Sequence, residues 1–294
     1  MVEKRENVRY LPGAAFPPNL SAYPKLEECL KGARDILVAV PSHGLRDTLT
    51  TIKPFLSTES RICWATKGFE LKTGKLPHQV AAEVLGPEHP MAVLSGPTFA
   101  KEVGEGLPTA MTIASSNHAF AESLAVAISS DTFRAYTSDD IIGVEVGGAI
   151  KNVLAIAAGM SDGLGFGANT RIALINRGLV ELMRLGVALG ANKQTFMGLA
   201  GMGDLVLTCT DNLSRNRRMG LALASGKSIE EAQEEIQQVV EGVLAARAVK
   251  DVADELGVEM PICHQIYRIL YEGASPREAV EALMSRELKS EKDH

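Results

Sequence analysis

The first 137 residues alternate short apolar runs with helix-like stretches, and that alternation leaves few folds open. Asp35-Ile-Leu-Val-Ala-Val-Pro41, Arg61-Ile-Cys-Trp-Ala-Thr66, Pro90-Met-Ala-Val-Leu-Ser95, Thr109-Ala-Met-Thr-Ile-Ala114 and Phe133-Arg-Ala-Tyr136 read as strands. Apolar runs without polar alternation belong to strands buried on both faces, and intervening helices make such strands parallel. The early runs end in small or polar loops, Pro41-Ser-His43, Lys67-Gly68 and Gly96-Pro-Thr98. Open α/β sheets bind their ligands at these carboxyl-end loops.

The character changes near residue 138. Ser138-Asp-Asp140 is a helix start, with a hydroxyl to cap and carboxylates to meet the helix dipole. The pattern then stays helical almost to the end. Gly143, Gly147 and Gly148 fall inside the first of these helices. Glycine there costs roughly 1 kcal/mol against alanine, so close packing or ligand approach is expected. Arg171–Leu189 has helical spacing, and Ser228-Ile-Glu-Glu231 and Ser275-Pro-Arg-Glu278 are capping boxes. The chain should fray from about Lys289. A parallel α/β domain over 1–137 followed by an all-α domain over 138–294 is expected.

With 46% hydrophobic and 22% charged residues the chain is an ordinary globular one, and its net charge of −6 argues against general nucleic-acid binding. Cys29, Cys63, Cys209 and Cys263 are far apart; Cys63 and Cys209 sit in apolar runs, so buried free thiols are the expectation, and a reducing cytoplasm fits. The charged Met-Val-Glu-Lys-Arg-Glu-Asn start is no signal peptide, no apolar run of membrane length is read, and no histidine spacing suggests a metal. Tyr10-Leu-Pro-Gly-Ala-Ala-Phe-Pro-Pro18 reads as a proline-rich loop. Gly163-Leu-Gly-Phe-Gly-Ala168 matches a relaxed dinucleotide fingerprint, but it follows a helical pattern, so it is read as a turn between helices.

The chemistry concentrates in Gly201–Gly220. Asp204 is a lone carboxylate, a polar turn is expected from Thr208 through Ser214, and Arg215-Asn-Arg-Arg218 opens a helix. Helix N–H groups and guanidinium forks suit a phosphate. Lys151-Asn152 lies in the glycine-containing helix, amid apolar residues where a charge is expensive without a partner. Lys67 ends a strand. Two adjacent lysines would depress one pKa and give a proton donor usable near neutral pH.

Val40-Pro-Ser-His43, Trp64-Ala-Thr-Lys-Gly68, Ser95-Gly-Pro-Thr-Phe-Ala-Lys-Glu102, Gly147-Gly-Ala-Ile-Lys-Asn-Val153, Gly159–Asn169, Gly203–Asp211, Ser214-Arg-Asn-Arg-Arg218 and Val239-Val-Glu-Gly242 run in an order that closely resembles the bacterial NAD(P)-dependent sn-glycerol-3-phosphate dehydrogenase family. The resemblance covers nearly the whole chain from about residue 8. It implies a Rossmann-like α/β domain with a helical C-terminal domain, NADH or NADPH as cofactor, dihydroxyacetone phosphate and sn-glycerol 3-phosphate as substrates, a cytoplasmic setting and a homodimer. By residue, it makes Lys151 the proton donor and acceptor, Asp204 its partner and Lys67 a second substrate-site lysine. Asn152 and Thr208 stand beside the carbonyl, Gly96 and Thr98 on a substrate loop, and Ser214, Arg215 and Asn216 at the phosphate. Ala100, Arg215, Val239 and Glu241 meet the cofactor.

The family's opening strand, Gly-x-Gly-x-x-Gly turn, helix and second strand do not occur in this sequence. Weak dinucleotide binding and an exposed edge on the Asp35–Val40 strand are the expectations if the short form is genuine. The alternative reading is a non-catalytic relative that binds phosphate ligands or pairs with a partner chain. A ketopantoate-type or β-hydroxyacid reductase is disfavoured, since a carboxylate substrate has no need of the Arg215–Arg218 cluster.

Overall fold

The computed structural model describes residues 1–287 and 290 of the chain. The fraying expected from Lys289 falls on Lys289 and 291–294, outside the described residues. The strands are β1 (Glu6–Asn7), β2 (Leu11–Ala15), β3 (Asp35–Val38), β4 (Arg61–Trp64), β5 (Met91–Ser95), β6 (Thr109–Ala114) and β7 (Phe133–Ser138). The helices are α1 (Leu26–Leu30), α2 (Leu45–Ile52), α3 (Pro77–Leu85), α4 (Ala100–Gly104), α5 (His118–Ile128), α6 (Ile141–Gly163), α7 (Ala168–Ala188), α8 (Asp204–Thr210), α9 (Arg215–Ala224), α10 (Ile229–Ile236), α11 (Glu241–Glu255), α12 (Pro261–Tyr271) and α13 (Pro276–Met284). Two compact units result: Met1–Thr66, His78–Leu94 and Thr98–Ile141 form one, and Lys67–Pro77, Ser95–Pro97 and Ile142–His294 the other.

The first unit holds the parallel sheet, in the order β3-β4-β5-β6-β7. All five strands fall where the apolar runs put them. Ile62, Trp64, Ala92 and Ile113 are fully buried, as expected of a sheet covered on both faces. β3 lies at an edge, where Ile36 and Val38 are buried but Leu37 is 53% exposed. The exposed edge expected of this strand is present. Asp35 and Arg61, its register partner on β4, form a forked pair at 2.5 and 2.7 Å.

The Tyr10–Pro18 segment is not simply a loop. β2 runs through Pro12 and Gly13 and pairs antiparallel with β1. A two-stranded ribbon has outward positions where a missing proline N–H costs nothing, so the prolines do not forbid it. Gly13 N–H donates to Glu6 Oε1 instead, at 2.6 Å.

The second unit is helical and built around α6. This helix is apolar around its whole circumference and buried from Gly143 to Ser161. Ile150 and Leu154 pack with Leu182 and Leu185 of α7, Leu205 of α8, Val249 of α11 and Ile266 of α12. Each such side chain contributes about 1.5–3 kcal/mol through burial. Among the described residues α6 alone is long and apolar enough to cross a membrane, and 89% of its most apolar window is buried inside the protein. Lys151, Asn152 and Glu145 break a strict apolar run, which is why residue counting passes over it. Both capping boxes form as read, with Ser228 and Glu231 on α10 and Ser275 and Glu278 on α13. Gly163–Ala168 is the turn between α6 and α7, with helix on either side and Gly165 at φ +82°.

Candidate active site

Three titratable side chains meet inside the second unit. Lys151, on α6, donates from Nζ to Asp204 Oδ1 and, at 3.1 Å, to Thr208 Oγ1. Lys67 Nζ donates to Asp204 Oδ2 at 2.7 Å and reaches the Gly96 carbonyl at 3.4 Å. Asp204 is 1% exposed, so the two oxygens of one buried carboxylate are shared between two ammonium groups. The lone carboxylate of the sequence is therefore the hub of the cluster.

Local sequence explains the placement. Asp204 opens α8 directly after a wide π turn over Leu199–Gly203, closed by Gly203 N–H to the Gly198 carbonyl at 3.1 Å. Such turns re-aim the side chains that follow them and recur at functional sites. Gly148 provides room for Lys67. A Cβ at that position would stand 3.2 Å from Lys67 Cγ and 3.2 Å from Ser95 Oγ, a buried hydroxyl without a hydrogen-bond partner. The glycine read as a site of close approach is one, and what approaches is a catalytic candidate.

Electrostatics separate the two buried partners. Burial pushes the Lys151 ammonium down, the Asp204 carboxylate opposes this, and the Lys67 charge adds to the drop, leaving its pKa at about 8. Burial alone would raise Asp204, but the two lysines outweigh it and hold the carboxyl below its ordinary range. The group is thus a fixed carboxylate beside an amine that titrates near neutrality. Cys209, on the same helix as Asp204, is pushed up to about 12 by burial and is an inert thiol.

Thr208 corrects the sequence reading of Gly201–Gly220. It lies inside α8, not in a turn, because its hydroxyl bonds back to the Asp204 carbonyl at 2.6 Å and needs no loop. The turn is shorter, Asp211–Leu213, and Ser214 is the N-cap of α9, accepting Arg217 N–H at 3.2 Å. The arginine cluster also divides. Arg215 is exposed, but Arg217 is only 7% exposed and pairs with Asp162 at 2.6 Å, Asn212 Oδ1 at 3.0 Å and the Cys209 carbonyl at 3.1 Å. Arg171 holds the same Asp162 oxygen at 2.7 Å. Arg217 ties the end of α6 to the α8–α9 turn. No local signal in the sequence pairs Arg217 with the distant Asp162.

Asn152 and Asn216 also come together. Asn216 Nδ2 donates to Asn152 Oδ1 at 2.8 Å, and Gly242 N–H donates to Asn216 Oδ1 at 2.8 Å. That bond brings the start of α9 beside the start of α11, where Val239 is exposed and Glu241 is the first helical residue. Arg215 offers an exposed guanidinium suited to phosphate oxygens, Glu241 a carboxylate that accepts from hydroxyls, and Val239 a bare apolar side chain. Of the remaining residues, Gly96 is beside Lys67, while Thr98 and Ala100 belong to the first unit, Ala100 as the first residue of α4. Among the described residues no cluster of His, Cys, Asp and Glu could hold a metal ion.

Comparison with known proteins agrees with this geometry. The profile of the NAD-dependent glycerol-3-phosphate dehydrogenase N-terminus matches residues 1–121 and that of the C-terminus residues 140–281. The chain is 57% identical to the glycerol-3-phosphate dehydrogenase [NAD(P)+] of Aliivibrio fischeri over 98% of its own length and 84% of that protein. It superposes on the crystal structure of glycerol-3-phosphate dehydrogenase from Coxiella burnetii with a TM-score of 0.94 and 48% identity, covering 97% of this chain and 87% of that one. The enzyme of Saccharomyces cerevisiae is more distant, with a TM-score of 0.82 and 27% identity over 95% of this chain and 83% of that one. The chain belongs to the NAD(P)-dependent glycerol-3-phosphate dehydrogenase family.

Proposed function

We propose that Lys151, Asp204 and Lys67 carry the NAD(P)-dependent interconversion of sn-glycerol 3-phosphate and dihydroxyacetone phosphate, the oxidoreductase reaction of this chain. The observation that supports these roles is the single buried carboxylate shared by two lysines. Two of the three Lys151 N–H donors are taken by Asp204 and Thr208, which leaves one for a substrate oxygen. In reduction that N–H donates its proton to the oxygen on C2 as negative charge develops there. In oxidation the neutral amine accepts the hydroxyl proton. Asp204 fixes the ammonium in place and offsets its charge. Burial, with the Lys67 charge adding to it, keeps the Lys151 pKa low enough for both directions.

NADH or NADPH supplies the hydride for C2 when bound, and Arg215, Val239, Glu241 and Ala100 are the proposed contacts. Ser214, Arg215 and Asn216 form the proposed grip on the substrate phosphate, Asn152 and Thr208 stand beside the reacting carbonyl, and Gly96 and Thr98 lie on the substrate loop. The proposed division assigns the cofactor to residues 1–137 and the substrate and catalysis to 138–294, although Lys67 and Gly96 pack with the second unit. A homodimer and a cytoplasmic location complete the reading, the latter supported by Cys63, Cys209 and Cys263 as buried free thiols. Neither the geometry nor the relatives favour a non-catalytic protein.

The test is reduction of dihydroxyacetone phosphate by NADH and by NADPH in the parent and in Lys151→Ala. Loss of a general acid predicts a fall in kcat of about 10²–10⁴-fold with an unchanged circular-dichroism spectrum. Turnover that survives the substitution would remove Lys151 from the chemistry.

A further inference from the structure

We propose that the backbone N–H of Gly242 fixes the polarity of Asn216 and Asn152, so that Asn152 presents donors, not an acceptor, to the anionic substrate. This deepens the substrate-site reading above, with Asn152 beside the carbonyl and Asn216 at the phosphate, and rests on it.

A carboxamide has an oxygen that only accepts and an NH₂ that only donates, and the two ends look alike in shape. Something must therefore decide which way each one faces. Gly242 is the second residue of α11, and its N–H is one of the orphan donors at a helix start. It can only donate. It does so at 2.8 Å to Asn216, which must turn its Oδ1 toward α11. Nδ2 of Asn216 then faces Asn152 and donates at 2.8 Å, so Asn152 must offer Oδ1 in return. Among the described residues neither N–H of Asn152 Nδ2, one residue beyond Lys151, has a protein partner.

The chain of constraints is buried. Asn152 is 5% exposed and Asn216 is 8% exposed, so water does not readily scramble it. The contact also requires glycine. A Cβ on residue 242 would stand 2.6 Å from the Asn152 carbonyl oxygen and 2.7 Å from Asn216 Oδ1. Gly242 is accordingly a positioning residue: it acts on the substrate through two amides and its own N–H is already spent.

The polarity can be reversed without removing the helix cap. In Asn216→Asp a carboxylate oxygen still accepts the Gly242 N–H, and negative charge at a helix N-terminus is stabilising. The aspartate cannot donate to Asn152. Asn152 must then turn over, give Nδ2 to the aspartate and point its oxygen at the substrate. Gly242→Ala disrupts the same chain without adding charge.

The test compares Asn152→Ala, Asn216→Asp and Gly242→Ala by steady-state reduction of dihydroxyacetone phosphate, with a melting curve for each. Loss of a hydrogen bond to a charged group predicts a rise in KM of at least about tenfold in all three variants, with the kcat change of Asn152→Ala reproduced in the other two. If Asn152→Ala raises KM while Asn216→Asp and Gly242→Ala leave it within about twofold, the relay is overturned and the substrate-site reading of Asn152 stands. If Asn152→Ala itself leaves KM unchanged, the substrate-site reading fails at Asn152 and the relay with it. Should Gly242→Ala melt below the assay temperature, Asn216→Ala serves as the neutral variant, with the same rise in KM expected and the same constancy overturning the relay.

Discussion

At the scale of single residues, Lys151 is poised between acid and base. With a pKa of about 8, its protonated form serves reduction below that pH and its neutral form serves oxidation above it. The rate of dihydroxyacetone phosphate reduction should therefore fall as pH rises through about 8, while glycerol-3-phosphate oxidation should rise over the same range. Lys67 holds that pKa down by charge repulsion, so Lys67→Met should move the limb to higher pH. Asp204→Asn should move it lower, because the carboxylate holds it up. A pH–rate profile of the parent and the two variants checks both signs, and a limb that stays put would detach Lys151 from the titration. Much of this site was legible in the sequence because the oddity of each residue was local: a lysine inside an apolar helix, a lysine at a strand end. That both would share the oxygens of one aspartate was not, since the π turn that aims Asp204 arises from a glycine-rich run with no helical cap of its own.

Among elements, the joint between α6 and α9 decides where the α8–α9 turn sits. Gly159 of α6 and Gly220 of α9 cross so closely that a Cβ on either would overlap the other helix's backbone, against the Arg217 carbonyl in one case and the Ile156 carbonyl in the other. Alanine gains roughly 1 kcal/mol of helix propensity at such a position. Overpacking costs about 1–3 kcal/mol or more, and here it falls on backbone that cannot rotate away. Gly220→Ala should thus lower the urea midpoint, not raise it. The buried Arg217–Asp162 pair locks the same joint. Arg217→Ala leaves that carboxylate with Arg171 alone and should cost about 3–5 kcal/mol in denaturant unfolding. The strands and capping boxes could be read in advance because they are short-range patterns. Thr208 misled because a threonine among polar residues looks like a turn until its hydroxyl is seen to bond back along its own helix. The β1–β2 ribbon was hidden by prolines that matter only when a strand is paired on both sides.

For the molecule as a whole, stability carries the signature of Glu181. This buried carboxylate accepts the N–H groups of Ile262 and Cys263 at the start of α12, at 2.6 and 3.1 Å. Burial raises its pKa to about 7, and the two backbone hydrogen bonds only partly oppose the rise. A folded pKa above the unfolded one gives stability that is fully present below about 4.5 and lost as pH rises through about 7. The melting temperature should therefore decline between pH 5 and 8 more steeply in the parent than in Glu181→Gln, and parallel curves would refute the assignment. The active-site trio has a molecular consequence of its own. With Lys151 protonated, two ammonium groups and one carboxylate leave one positive charge; with Lys151 neutral, none. An anion that prefers the positive form draws a proton onto the protein as it binds. Above about pH 8, dihydroxyacetone phosphate should consequently bind with net proton uptake, visible as a binding enthalpy that changes with the ionisation heat of the buffer. Substrate capture and acid loading are then a single equilibrium.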